Sequence, residues 1–173
     1  ISTMKANQKY FHVVDEEERL MPHFITVSNV DSRDIDVVRQ GNERVIRPRL
    51  ADAEFFWNQD RKLKLESRIE KLKTILFQKE LGTLYDKSER VAQLAGVIAG
   101  SIKGNKQQAE RAGWLSKCDL VTDMVYEFPE FQGIMGRYYA QLDGEAPDVA
   151  EAMDELYMPR HAGDVLPMTK IGQ

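Results

Sequence analysis

The sequence predicts a mainly α-helical fold with a short antiparallel β segment ahead of the helices. Three observations carry that reading. From Asp31 onward apolar residues recur at helical spacing, in stripes such as Val91, Leu94, Ala95, Ile98 and Ile102. Before it, KYFHVV and HFITVSNV are short runs of β-branched and aromatic residues. Between the stripes, Gly and Pro stand where helices start or stop.

The first 30 residues are expected to form two antiparallel strands joined by a turn near Asp15–Arg19. A lone hairpin is marginal in water, so it packs on helices or is the edge of an upstream domain. His12 and His23 lie on these strands, but no carboxylate or thiol stands at ligand spacing beside them. Asp34 is placed to cap a helix carrying Ile35, Val38, Val45 and Ile46, which Pro48 must end or kink because proline lacks the donor. Arg44, Arg47 and Arg49 surround that break. They suit pairing with Glu43, Asp52 and Glu54, or contact with phosphates, for which a guanidinium fork is well shaped.

Leu65, Ile69, Leu72 and Leu76 predict the next amphipathic helix, with Gly82 as its left-handed terminator. Asp86 with Glu89 three positions later reads as a capping box. It opens the helix whose stripe from Val91 to Ile102 is the clearest candidate for burial. GNKQ then makes a polar turn.

The densest stretch runs from Ala109 to Ala140. Trp114, Cys118, Val121, Val125 and Phe128 fit one stripe of an unbroken helix. Pro129 suits the first turn of another, carrying Phe131, Ile134, Met135, Tyr138 and Leu142. Gly133 and Gly136 inside it should each cost about 1 kcal/mol relative to Ala. Two such costs on one face point to close approach by a helix or a nucleic-acid backbone. Lys117 falls near the stripe's edge, where its stem can cover apolar surface or its ammonium can face a phosphate. Pro147 opens a last helix with Val149, Met153, Leu156 and Tyr157, Pro159 stops it, and the tail PRHAGDVLPMTKIGQ is expected to lie extended over the surface.

Composition narrows the function. The 173 residues are 42% hydrophobic and 30% charged, values of a folded globular protein. No apolar run reaches the roughly 20 residues of a membrane span, and no signal segment opens the chain. Cys118 is the single cysteine, which excludes an internal disulfide framework and fits a cytoplasmic protein. A net charge of -4 is not that of a basic nucleic-acid-binding domain, so any nucleic-acid contact must rest on local basic clusters or be made mainly by other parts of a larger protein. A Walker loop, GxGxxG, CxxC and a serine elbow are all absent from the sequence.

NERVIRPRLADAEFFWNQDRK, LFQKELGTLYDKSERVAQLAG, KCDLVTDMVYEFPEFQGIMGRYYA and PRHAGDVLP, in that order, resemble the β subunit of the two-subunit bacterial glycyl-tRNA synthetases. The resemblance covers nearly the whole chain. It implies a piece of a subunit several times longer, with both ends as cuts and the β segment left from a neighbouring domain. The implied divisions are 1–30 for that β segment, 31–62 for connecting helices with a break at Pro48, 63–158 for a helical domain and 159–173 for the tail. It also implies a role in tRNA positioning and subunit architecture, with glycine tRNA and the α subunit as partners, no membrane and no DNA. ATP and magnesium would serve the whole enzyme, with no cofactor, metal or catalytic residue in this piece. The charge pattern supplies the tRNA-contact candidates: Lys117 and Arg137 beside the two glycines, and Arg44, Arg47 and Arg49 around Pro48.

The helices from Asp86 to Leu120 are also similar to the HD superfamily of metal-dependent phosphohydrolases, implying an HD-type bundle. There a histidine on a first helix, an adjacent His-Asp pair and a later aspartate hold a metal that activates water. Here the pair reads Cys118-Asp119, and Tyr85, Asp86 and Lys87 stand where the first histidine is needed. The expectation is a degenerate site at Cys118 and Asp119. The competing readings are an active HD phosphohydrolase and a purely structural spacer.

Overall fold

The structure is a computed structural model that describes residues 4–5 and 8–173; residues 1–3, 6 and 7 of the expected β segment lie outside the described residues. The fold is mainly α, as expected. It divides into two compact units, residues 1–52 and 53–173.

In the first unit, β1 (Phe11–Val14) and β2 (Leu20–Ile25) pair antiparallel, with Phe11 opposite Ile25 and His12 opposite Phe24. The Asp15 carboxylate closes the expected turn by accepting the Glu17 and Arg19 amides at 3.0 and 2.9 Å. The second strand begins at Leu20 and stops at Ile25, earlier than the apolar run to Val30 suggests. Tyr10 packs on Phe24, with ring centroids 5.0 Å apart, and donates its hydroxyl to Asn42 Oδ1 at 2.6 Å. The hairpin therefore has a helix to rest on. That helix is α1 (Ile35–Asp60), capped as expected by Asp34, whose carboxylate accepts the Val37 amide at 3.1 Å.

Pro48 does not end the helix, and α1 runs through it. Pro48 and Arg44 are both exposed. The carbonyl deprived of its partner can therefore be hydrated, which offsets part of the helix penalty.

In the second unit the last turns of α1 bring Phe56 and Trp57 against the core. Leu65–Thr74 is a 3₁₀ segment rather than the expected α-helix, with Leu65, Arg68, Ile69 and Leu72 buried. Its hydroxyls give the cause. Ser67 and Thr74 donate to carbonyls three residues back, Lys64 at 2.6 Å and Lys71 at 2.7 Å, and so favour the tighter turn. Gly82 does not terminate a helix. With φ at +82° it turns the chain between β3 (Leu76–Gln78) and β4 (Gly82–Thr83), a short antiparallel pair.

The helix α2 (Leu84–Ser101) starts two residues before Asp86. The capping box is real, but its members differ: Thr83 is the cap and Asp86 the third helical residue. The buried face of α2 is also not the expected stripe. Ser88, Ala92, Gly96 and Ala99 are buried, while Leu94, Val97, Ile98 and Ile102 are exposed. Small residues win because α2 packs closely on α3 (Lys106–Leu115), where a Cβ on Gly113 would stand 2.7 Å from Ala92 Cα.

The stretch after α3 is not one helix. It breaks into a 3₁₀ turn (Cys118–Val121), α4 (Asp123–Glu127), a 3₁₀ turn (Pro129–Phe131) and α5 (Ile134–Asp143). Cys118, Val125 and Phe128 still reach the core, along with Leu115, Tyr139, Val149 and Met153. The final helix, α6 (Pro147–Glu155), opens at Pro147 as expected. The tail is tied down rather than free, because the buried Glu155 accepts the Met168 and Thr169 amides at 2.6 and 3.0 Å. Among the described residues no helix is long and apolar enough to cross a membrane.

Candidate functional site

Two hydroxyls shape the break between α3 and α4. Ser116 donates to the Gly113 carbonyl at 2.7 Å, which tightens the last turn of α3. Thr122 caps α4 by accepting the Val125 amide at 3.3 Å and donates to the Asp119 carbonyl at 2.6 Å. The short turn between them turns Cys118 and Asp119 fully inward.

The Asp119 carboxylate sits where α5 begins. Oδ2 accepts the Gly133 amide at 2.6 Å, and Oδ1 has no partner among the described residues. Burial pushes its pKa up to about 6, against the opposing pull of the Gly133 amide and the Lys117 ammonium. Burial likewise pushes the Cys118 thiol up to about 12, so it stands in the core as a neutral group.

Both glycines serve contacts inside the protein. Gly133 is the residue before α5, with φ at +80°, and a Cβ there would fall 2.6 Å from the Tyr157 ring and 2.7 Å from the Met153 carbonyl. Gly136 lies within α5, where a Cβ would stand 3.2 Å from both Asp119 Oδ2 and Met153 Cε. Of the two expected reasons for close approach, protein packing uses these positions.

Lys117 stands beside this buried carboxylate. Its Nζ donates to the Tyr157 hydroxyl at 3.0 Å and lies 4.2 Å from that ring's centroid. Burial lowers its pKa to about 8; Lys87 adds to the shift and Asp119 opposes it. The cluster also holds Arg160, whose guanidinium carbon is 5.3 Å from the Tyr157 centroid. Arg160 donates to the Gln132 carbonyl at 2.9 Å and to Asp154 Oδ1 at 2.5 Å. Arg137 shares that carboxylate at 3.5 Å and reaches Glu151 at 3.3 Å. Lys117 and Arg137 therefore belong to one cationic group, linked through Tyr157, Arg160 and Asp154.

Arg44, Arg47 and Arg49 lie in the first unit, exposed on α1, with Arg47 3.5 Å from Glu43. Tyr157 and Arg160 are the members that periodicity misses. Tyr157 reads as an apolar stripe residue and Arg160 as part of the extended tail. The one hint is the MPR sequence, which places a cation immediately after a helix stop.

The donor set does not fit a divalent metal. At the first-helix position Tyr85 packs edge-on against Trp114 at 5.3 Å, Asp86 completes the capping box and Lys87 covers the Phe77 ring at 3.9 Å. A neutral thiol and one carboxylate already bound to an amide remain. Among the described residues no three His, Cys, Asp or Glu side chains gather into a metal-binding group.

Comparison with known proteins adds the family. A family model described as "Glycyl-tRNA synthetase beta subunit" matches residues 1–173. Among curated relatives, a "Glycine--tRNA ligase beta subunit" from Hahella chejuensis is 60% identical over 99% of this chain. Proteins of the same description from Pseudomonas putida and Klebsiella pneumoniae are 59% and 55% identical over the same share. In each case the match covers 25% of the relative, so the chain spans a quarter of the length of the curated relatives it matches. The chain belongs to the family of glycyl-tRNA synthetase beta subunits.

Proposed function

We propose that these residues are the part of a glycine–tRNA ligase β subunit that helps hold and position glycine tRNA, with the Lys117–Arg160 cluster as the contact. The observation that carries the reading is the gathering of two cations on one ring, with Lys117 Nζ 4.2 Å and the Arg160 guanidinium 5.3 Å from the Tyr157 centroid, beside the position at which an HD hydrolase would hold its metal. An aromatic ring with cations on it offers a phosphate both charge and a rigid mount. Family membership supplies the RNA. On this reading ATP, magnesium and glycine activation belong elsewhere in the enzyme, the α subunit is the partner, and the location is cytoplasmic. Neither a membrane nor DNA is involved. Arg44, Arg47 and Arg49 form a second, exposed candidate contact on α1.

A specific observation favours an architectural share for Arg137. It faces two carboxylates, Glu151 and Asp154, whereas among the described residues Arg160 shares only Asp154, so the charge of Arg137 is the more fully answered inside the protein. Lys117 and Arg160 are the better candidates for RNA.

The test uses the full-length subunit with its α partner. Lys117→Ala and Arg160→Ala should lower aminoacylation of tRNA at limiting tRNA, while glycine-dependent ATP–pyrophosphate exchange stays at the parent rate. Loss of both activities together would mean that the substitutions disturb the enzyme as a whole.

A further inference from the structure

The second half of α2 exposes an apolar face that the described residues leave largely open, with Lys170–Gln173 along one edge of it. Leu94, Val97, Ile98 and Ile102 are between 50% and 63% exposed, and their spacing keeps them together on one side of the helix. Residues 91–102, VAQLAGVIAGSI, contain no charge at all. The opposite face, with Ala92, Gly96 and Ala99, is already used against α3. An exposed helix face without a single charged residue is unusual for a solvated surface and marks an interaction site.

What covers it can be argued from three observations. Residues 91–102 hold no cation and Lys170 is the one cation lining the groove among the described residues, too little charge for RNA, whose binding requires neutralised phosphates. Polypeptide of this chain already begins to fill the place: Lys170–Gln173 lines a groove of 240 Å³ with Val91, Leu94 and Ile98 of α2. Finally, the match covers 25% of each relative, so three quarters of each relative lies outside it. We propose that this face is an intrachain docking surface, covered in the full-length β subunit by an apolar segment of that remaining polypeptide. The proposal rests on the family reading alone and not on the tRNA contact.

Two measurements on the full-length subunit in complex with α test it. The first is maleimide labelling of Val97→Cys, with Tyr126→Cys as the exposed reference, since Tyr126 is 84% exposed. Covered, Val97→Cys should react at least tenfold more slowly than Tyr126→Cys. Equal rates would overturn the proposal. The second places benzoylphenylalanine at Val97 or Ile102 and identifies the photo-crosslinked peptide by mass spectrometry. The expected product is a crosslink within one β chain to a peptide outside the 173 residues. A crosslink to the α subunit or to a second β copy, or crosslinks only to peptides inside those residues, would overturn it. Neither readout uses tRNA, so failure here leaves the tRNA reading standing, and failure of that reading leaves this one standing.

Discussion

The Asp119 carboxylate and the Gly133 amide, 2.6 Å apart, join the turn after α3 to the start of α5 across fourteen residues. The bond makes the Asp119 carboxylate an internal brace. Gly133 can serve because φ of +80° aims its amide inward without a Cβ striking Tyr157.

The brace gives a pH signature. The folded pKa of Asp119 is raised to about 6 from 3.8, so between those values the folded state holds a proton that the unfolded state has released. Stability from this group is greatest below pH 4 and falls away as pH rises through 6. Asp119→Asn keeps an acceptor for Gly133 without the charge. Its stability relative to the parent, from urea unfolding, should therefore improve between about pH 4 and about pH 7. A difference that is flat with pH would show that the group is not held as described.

Asp60 is a second buried carboxylate. It accepts the Asp123 and Met124 amides at 3.0 and 2.9 Å and the Tyr139 hydroxyl at 2.9 Å, and it pairs with Arg68 at 3.3 Å. Asp60→Ala strands a buried guanidinium and two helix-start amides, at a cost of about 3–5 kcal/mol. Urea unfolding of the variant measures it. A destabilisation below about 1 kcal/mol would mean that the network carries little of the fold.

The capping box at α2 predicts a smaller effect. Thr83→Ala removes the acceptor for the Asp86 amide and should cost about 0.5–2 kcal/mol, read as a lower denaturation midpoint. An unchanged midpoint would place the helix start elsewhere.

The metal reading is checked by elemental analysis of the dialysed protein, which should show no transition metal near one per chain. A stoichiometric metal that disappears on Asp119→Ala would restore the hydrolase hypothesis.

Much of the local structure is legible in the sequence because its causes are local. The turn at Asp15–Arg19, the Asp34 cap and the start at Pro147 each depend on a side chain within a few residues of the backbone it serves. Periodicity misreads the α2 face because it ranks residues by apolarity, whereas close packing on Gly113 selects Ala92 and Gly96 for their size. The helix expected through Cys118 is divided by hydroxyls at Ser116 and Thr122, which compete for backbone groups without disturbing the apolar spacing. Within the site, Lys117 is visible as a cation at the edge of a stripe. Its partner Tyr157 lies forty residues away, a distance at which no spacing rule applies.

The central claim is that Lys117 and Arg160, mounted on Tyr157, meet tRNA phosphates. The most direct measurement is the salt dependence of glycine-tRNA binding to the full-length enzyme, compared for the parent, Lys117→Met and Arg160→Met. Each variant should bind more weakly, and the slope of log affinity against log salt should become shallower by about 0.7–0.9 for each phosphate that is no longer neutralised. Unchanged affinity and slope, with a lowered melting temperature, would contradict the claim and leave the cluster as internal architecture alone.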